Sequence, residues 1–228
     1  TIDSTGSANT DAGFSIVTYT GTGSNGTIKH GLNTAPKTVW VKCRNVGFNW
    51  TTGWNTGSSN FETMLKLNST AAEEDYAPYF NDTNPTSSVF SVGNASNTNV
   101  VNNIYVAYCF AEKQGYSKIG SYTGNGSTDG TFVYTGFKPA WVMFKRTDST
   151  GAWVMKDNKR DAYNVATKYL YANASDAEST SYNVDFTANG VKLRGSDAQF
   201  NASGGNFIYM AFAENPFVAS NFNAATAR

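Results

Sequence analysis

The sequence predicts an all-β fold: two tandem, homologous antiparallel β-sandwich modules of jelly-roll or lectin-like type, packed together. Three observations predict it. The chain repeats itself once, apolar residues alternate with polar ones over strand-length runs, and turn-forming residues cluster between those runs.

The repeat decides the domain count. Phe14 opens FSIVTYTGTGS and Tyr116 opens YSKIGSYTGNGS. Pro36 then starts PKTVWVKCR, and Pro139 starts PAWVMFKR. Leu65 opens LKLNSTAAE, and Leu170 opens LYANASDAE. The halves close on YVAYCFAE at Glu112 and IYMAFAE at Glu214. Blocks in the same order at offsets of 102 to 105 residues indicate duplication. The period is too long for a solenoid unit and suits a sandwich of ~100 residues. The expected division is a lead-in over 1–12, one copy over 13–114, a second over 115–217 and a tail over 218–228. The joint at Gln114-Gly115 is short enough to predict copies that pack on each other.

The alternation identifies the strands. Val39, Val41 and Cys43 alternate with Trp40, Lys42 and Arg44, and Tyr105, Ala107 and Cys109 with Val106, Tyr108 and Phe110. Ile208, Met210 and Phe212 behave alike in the second copy, so each copy is expected to hold about seven or eight strands. Ala and Glu cluster in 68–76 and 173–180, where one helical turn is expected in each copy. Both copies keep Tyr-Thr-Gly-x-Gly-Ser, from Tyr19 and Tyr122. Glycines ahead of a helix would cradle a phosphate. Strand-like residues follow here, so the motif reads as a hairpin turn.

Composition narrows the function classes. The chain has 228 residues, 40% hydrophobic and 14% aromatic but only 15% charged. Such a chain buries a core and solvates its surface with Ser, Thr, Asn and Gly. Seventeen basic and 17 acidic residues cancel. No basic block exceeds a pair, as at Lys145-Arg146, so the footprint of nucleic-acid binding is missing. Zero net charge suits a protein that lives in an assembly. No apolar run reaches the ~18 residues of a membrane helix. Cys43 and Cys109 have Arg146 and Ala211 as second-copy counterparts, so free buried thiols are expected rather than a disulfide.

The residues offer little chemistry. His30 is the single histidine and has no second-copy counterpart; it reads as a surface strand residue. Glu112 and Glu214 end the closing strands at equivalent places. An acid pair for glycoside hydrolysis flanks one bond at about 5–10 Å, so both read as structural, paired with Lys, Arg or a turn amide. Glu73-Glu74-Asp75 reads as a solvated loop. Asp82, Asn84, Asp157, Asn158 and Asp197 stand in polar loops of the kind that bind calcium, without the spacing of the twelve-residue calcium loop. The expectation is no catalytic residue, no metal ligand and no cofactor, with calcium as the alternative. Asn-x-Ser/Thr triplets occur at Asn49, Asn68, Asn94, Asn173 and Asn201, as this composition supplies by chance.

The tryptophans are the functional lead. Trp50 and Trp54 lie in Phe-Asn-Trp-Thr-Thr-Gly-Trp, and Trp153 lies in Thr-Gly-Ala-Trp. An indole beside Asn and Thr suits stacking on a glycan or a partner surface. The competing reading has these rings capping the core. Trp40 and Trp141, inside strands, read as core or module interface.

The blocks Gly13–Gly21, Ala107–Glu112, Gly115–Gly126 and Tyr209–Phe217 resemble an uncharacterised duplicated domain. That domain is common at the C-terminal end of virion structural and tail-fibre proteins of tailed, especially marine, bacteriophages. The resemblance runs from about Gly13 to Phe217. It implies a place on the extracellular surface of a virion, other virion proteins as partners, and no established active site. The expectation is a non-enzymatic tail-fibre or receptor-binding component that contacts a host cell-surface glycan or protein. Such a component would be a homo-oligomer, with a trimer favoured, and would neither bind nucleic acid nor insert in a membrane. The alternatives are a capsid-decoration or head-fibre protein without a ligand, and a secreted carbohydrate-binding module.

Overall fold

The structure, a computed structural model, describes residues 1–57 and 60–215. The 218–228 tail and the last two residues of the second copy lie outside them. Contacts divide the chain into two units: Thr1–Asn68 with Glu73–Glu112, and Ser69–Ala72 with the chain from Lys113 onward.

The first unit holds β1 (Ser4–Asn9), β2 (Phe14–Thr20), β3 (Gly26–Lys29), β4 (Thr38–Cys43), β5 (Thr51–Trp54), β6 (Thr63–Lys66), β7 (Glu74–Asp75), β8 (Val89–Val92), α1 (Ser96–Asn99) and β9 (Ile104–Phe110). Seven strands form one antiparallel sheet in the order β1-β2-β9-β4-β5-β6-β7, and β3 pairs with β8 in a second. The alternation sorts the large sheet as predicted. Val17, Tyr19, Val39, Val41, Cys43, Tyr105, Ala107 and Cys109 face inward, and Ile28, Phe90 and Val92 join them from the small sheet. Residues 1–12 are not a lead-in. β1 pairs with β2 from Ser4↔Tyr19 to Asn9↔Phe14, and Ile2 is buried where it bridges to Ile28.

The second unit holds β10 (Ser117–Thr123), β11 (Phe132–Tyr134), β12 (Pro139–Arg146), β13 (Val154–Asp157), β14 (Ala166–Tyr171), β15 (Ser179–Thr187), β16 (Gly190–Leu193) and β17 (Asn206–Ala213). They form one continuous sheet, β10-β17-β12-β13-β14-β15-β16-β11, which curls towards a barrel. Registers run parallel in the two units: Val39 opposes Cys109 and Val142 opposes Ala211. The core was repacked between copies. Three adjacent inward positions read Val17, Ala107 and Val41 in the first unit and Gly120, Tyr209 and Phe144 in the second. The larger Tyr209 ring packs close over the glycine, where a Cβ would lie a tight 3.0 Å from it.

The continuous sheet turns its corner at β14. Leu170 and Tyr171 pair with β13, while Ala166, Lys168 and Tyr169 pair with β15 through a register shift. That irregularity leaves carbonyls off the ladder. Lys156, fully buried, donates its Nζ to Thr167 O at 3.0 Å and Ser181 O at 3.2 Å. Burial pulls its pKa down to about 8. The first-unit counterpart is Gly53, which opposes Val39 as Lys156 opposes Val142. Phe61 and Phe80 occupy the space there; a Cβ on Gly53 would lie 2.5 Å from Phe61.

The shared Tyr-Thr-Gly-x-Gly-Ser motif is not a hairpin turn. β2 pairs with β1 and β9, and β3 with β8, so the motif carries the chain from one sheet to the other; in the second unit it links β10 to β11, which likewise do not pair. A buried asparagine holds it in each unit. Asn99 Oδ1 accepts from Thr22 N at 2.8 Å, and its Nδ2 donates to Ser24 O and Gly93 O, both at 2.7 Å. Asn201 accepts from Asn125 N at 3.0 Å and donates to Ser127 O and Gly195 O at 3.0 and 2.8 Å. The motif tyrosines complete the clamp. Tyr19 donates to Thr98 O and Tyr122 to Phe200 O, each at 2.6 Å. The first glycine allows close approach, since a Cβ on Gly21 or Gly124 would lie about 2 Å from a carbonyl oxygen. The second takes positive φ, 72° at Gly23 and 66° at Gly126.

The expected helical turns in 68–76 and 173–180 are absent. Those segments are extended or irregular and include β7 and the start of β15. The acidic run is likewise not a free loop. Glu74 lies in edge strand β7 and pairs with Lys66, and Glu73 accepts from Thr63 Oγ1.

Replacing Asn99 by Ala removes three side-chain hydrogen bonds, and replacing Asn201 by Ala removes at least three. Each variant is expected to lose about 3 kcal/mol, counting roughly 1 kcal/mol per bond. Urea denaturation checks this, with the midpoint falling and the slope unchanged.

Candidate functional site

The large sheet of the first unit carries an aromatic row on the face opposite the core of Val17, Val39 and Ala107. Phe14 on β2, Tyr108 and Phe110 on β9, and Trp40 on β4 are half-buried there by the period of two. Phe110 lies 4.9 Å from Phe14 and 5.0 Å from Trp40, ring centre to ring centre. Trp50, just before β5, stacks on Tyr108 at 5.9 Å with 29° between planes. Ile16 continues the row and is 39% exposed.

Trp50 is the one predicted contact residue that stays accessible. Its backbone is held on both sides: its N–H donates to Asn68 Oδ1 at 2.9 Å and its carbonyl accepts from Leu67 N at 3.1 Å. Its indole N–H has no protein acceptor among the described residues, whereas Trp40 Nε1 donates to Thr38 Oγ1 at 3.0 Å. The ring therefore presents a fixed edge with an open donor beside a stacked tyrosine.

Trp54 and Trp153 correct the expectation that they stack on a ligand. They are 1% and 0% exposed. Trp54 packs 6.3 Å from Trp40, and its Nε1 donates to Thr52 Oγ1 at 2.8 Å. The Thr and Gly neighbours that suggested a surface ring instead satisfy a buried one. Trp153 is the counterpart of Trp50: its N–H donates to Asn173 Oδ1 at 2.7 Å, and its carbonyl accepts from Ala172 N. The second-unit positions matching Phe14, Trp40 and Tyr108 hold Ser117, Met143 and Met210, all buried. The second unit keeps a cluster of its own around Phe212, the counterpart of Phe110, which lies 5.6 Å from Tyr116 and 5.9 Å from Trp141. Trp40 was read as core or module interface and Tyr108 was not singled out; their shared phase with Phe110 was the signal that joins them.

The other candidates have structural partners. His30 is not a surface residue; it is 2% exposed. Leu32 N donates to its Nδ1 at 3.2 Å, so Nε2 carries the proton and donates to Thr86 O at 3.1 Å. Burial, the larger influence, lowers its pKa, while the Thr86 bond opposes this. Glu214 takes Lys159 at 2.6 Å and Lys138 at 2.9 Å, as its structural reading predicts. Those two ammonium groups hold its pKa down to about 2.

Cys43 and Cys109 are free and buried, and burial pushes the Cys109 thiol up to about 12. Of the calcium candidates, Asp157 accepts from Lys159 N and pairs with Arg160, Asp197 accepts from Gln199 N, and Asn84 accepts from Phe61 N. Asn158 Nδ2 donates to Pro139 O, and Asp82 sits in a turn at positive φ. No three His, Cys, Asp or Glu side chains among the described residues gather to hold a metal ion. Asn201 is fully buried and so is closed to glycosylation.

The sequence profile of a domain of unknown function (DUF7483) matches residues 1–216, and the chain belongs to that family. The match spans both units, so the family's domain includes the duplicated pair. No curated protein and no solved structure matches the chain.

Trp54→Ala and Trp153→Ala each empty a buried site and are expected to cost ~3–5 kcal/mol in urea denaturation. Trp50→Ala, at a half-buried ring, is expected to cost about 1 kcal/mol. Stability should also fall with pH in two windows. As pH drops below 6.5, the unfolded chain protonates histidine before the folded one does, so stability is lost there. The Glu214 contribution is present above 4.5 and is lost as pH falls towards 2. Urea midpoints across pH 8 to pH 2.5 are expected to decline in both windows. His30→Gln should remove the first decline and Glu214→Gln should weaken the second.

Proposed function

We propose that this member of the DUF7483 family is a non-enzymatic, surface-displayed binding module of a tailed-bacteriophage virion, in a tail-fibre or receptor-binding component. The observation that supports ligand contact is the aromatic row of the first unit. Flat rings on a paired sheet are rigid before the ligand arrives, so little entropy is lost on contact. Trp50 offers a ring face and an unused N–H together, which suits a sugar ring bearing hydroxyls or the polar edge of a host protein. Its rings stand in the phase opposite the core, so they contribute little to the packing that Val39 and Ala107 provide.

The virion setting rests on the sequence resemblance and on the balanced charge. A module of this kind works as one copy among several, with other virion proteins and copies of itself, a trimer above all, as partners. The Lys138–Glu214–Lys159 arrangement supports the non-enzymatic reading, since it commits the Glu214 carboxylate to two lysines. The second reading, a decoration or head-fibre protein without a ligand, draws on the burial of Trp54 and Trp153, which leaves fewer rings for contact.

Gold-labelled antibody against the chain, viewed on intact particles, is expected to mark the tail or fibre tips. Even labelling of the head would overturn the receptor-binding reading in favour of decoration. Trp50→Ala and Tyr108→Ala are each expected to weaken adsorption of the purified protein to host cells about tenfold, or ~1.4 kcal/mol. Unchanged adsorption in both would remove the aromatic row from the contact.

A further inference from the structure

The second unit carries a cleft of about 390 Å³, lined by Tyr171, Asn173, Asp176, Gln199 and the 150–152 segment among others. That volume falls in the range of small-molecule sites, roughly 300–1,000 Å³. Two consecutive backbone N–H groups beside it are each held by the side-chain amide of a lining residue. Ala152 N donates to Gln199 Oε1 and Trp153 N to Asn173 Oδ1, both at 2.7 Å. A backbone N–H demands an oxygen, so these bonds fix which way each amide is turned. The two NH₂ ends have no protein acceptor among the described residues and are left to the cleft.

The first repeat shows what a closed version looks like. Asn68 holds Trp50 N as Asn173 holds Trp153 N, but Asn68 Nδ2 donates to Asn49 Oδ1 at 3.0 Å. The position matching Asn49 is Ala152, which has no side-chain oxygen. The second repeat has therefore lost the internal acceptor and kept the donor. Asp176 is exposed and supplies an acceptor. Tyr171 supplies a ring wall fixed by an OH···OH bond of 2.6 Å to Tyr182 and by packing 5.0 Å from Tyr169.

The geometry points to a binding site for a neutral saccharide, with a vicinal diol bridging the amide donors and the Asp176 carboxylate. Each sugar hydroxyl both accepts and donates, which matches NH₂ groups beside a carboxylate. An anionic ligand meets the Asp176 charge without a paired cation. A divalent cation finds a single carboxylate where about six oxygens are needed. The site lies in the second unit and uses none of the aromatic row, so either assignment can fail without the other.

The test is ¹⁵N-detected titration of the full chain with glucose, galactose, mannose, rhamnose and N-acetylglucosamine. It reads the side-chain NH₂ signals of Asn173 and Gln199, assigned by their loss in Asn173→Asp and Gln199→Glu. At least one sugar is expected to shift both pairs in a saturable way. Asp176→Ala, a change at an exposed residue, should weaken that binding about tenfold. Ala152→Asn, which restores the first-repeat acceptor, should weaken it similarly. No saturable shift with any of the five, or shifts unchanged in Asp176→Ala, overturns the assignment. If Trp50→Ala abolishes cell adsorption while these shifts persist, the aromatic row and the cleft are separate sites. If the gold label covers the head while the shifts persist, the tail-fibre reading fails and the saccharide site stands.

Discussion

A single buried side chain in each unit, Asn99 or Asn201, pins the crossover loop between two strands that do not pair. Its amide ties together the crossover loop, the last turn before the closing strand and the glycine after β8 or β16. A buried amide has two donors and an acceptor to place, and an unplaced one would be costly. Both units solve that demand with matching backbone partners. The pattern accounts for the strictness of the shared motif: one glycine lets carbonyls approach, another supplies positive φ, and the tyrosine hydroxyl seals the far side. With the crossover pinned, the remaining strands were free to diverge, and they did. One unit fills its core with Phe61 and Phe80, the other with Tyr209 and the stem of Lys156.

The same logic separates the two candidate sites. The aromatic row depends on strand phase alone, because rings at alternate positions of β2, β9 and β4 share a face. The cleft depends on a loop and on the amides that hold its backbone. Each lies on a scaffold already made rigid by hydrogen bonds, which is the condition for precise contacts from a surface of modest size. Divergence at one residue, Asn49 against Ala152, separates a sealed amide from an open one. Duplication gives such comparisons directly: the first copy shows the unliganded chemistry from which the second departs.

Much of the fold was readable in the residues. Period two placed Val39, Val41 and Cys43 on one face and Trp40 on the other, and the free thiols followed from their unmatched counterparts. Pairing was not readable at the crossover. A Gly-rich turn between two strands looks alike whether they pair or part, and the deciding residue, Asn99, lies far along the chain. His30 was misplaced because a polar ring between glycines resembles a surface residue, while both its nitrogens meet backbone groups. Trp54 and Trp153 were misplaced because polar neighbours do not report exposure; Thr52 satisfies the Trp54 N–H inside. The cleft was invisible because Gln199 and Asn173 meet only through adjacent backbone groups of a third segment.

Native-state hydrogen exchange at Thr22 and Asn125 tests the central claim most directly. Their N–H groups donate to the two buried asparagines from within loops. The account predicts protection close to that of β9 and β17 amides, with exchange only through global unfolding of each unit. Exchange at the rate of an exposed loop would contradict it, and the crossover would then be an ordinary connection rather than a pinned joint.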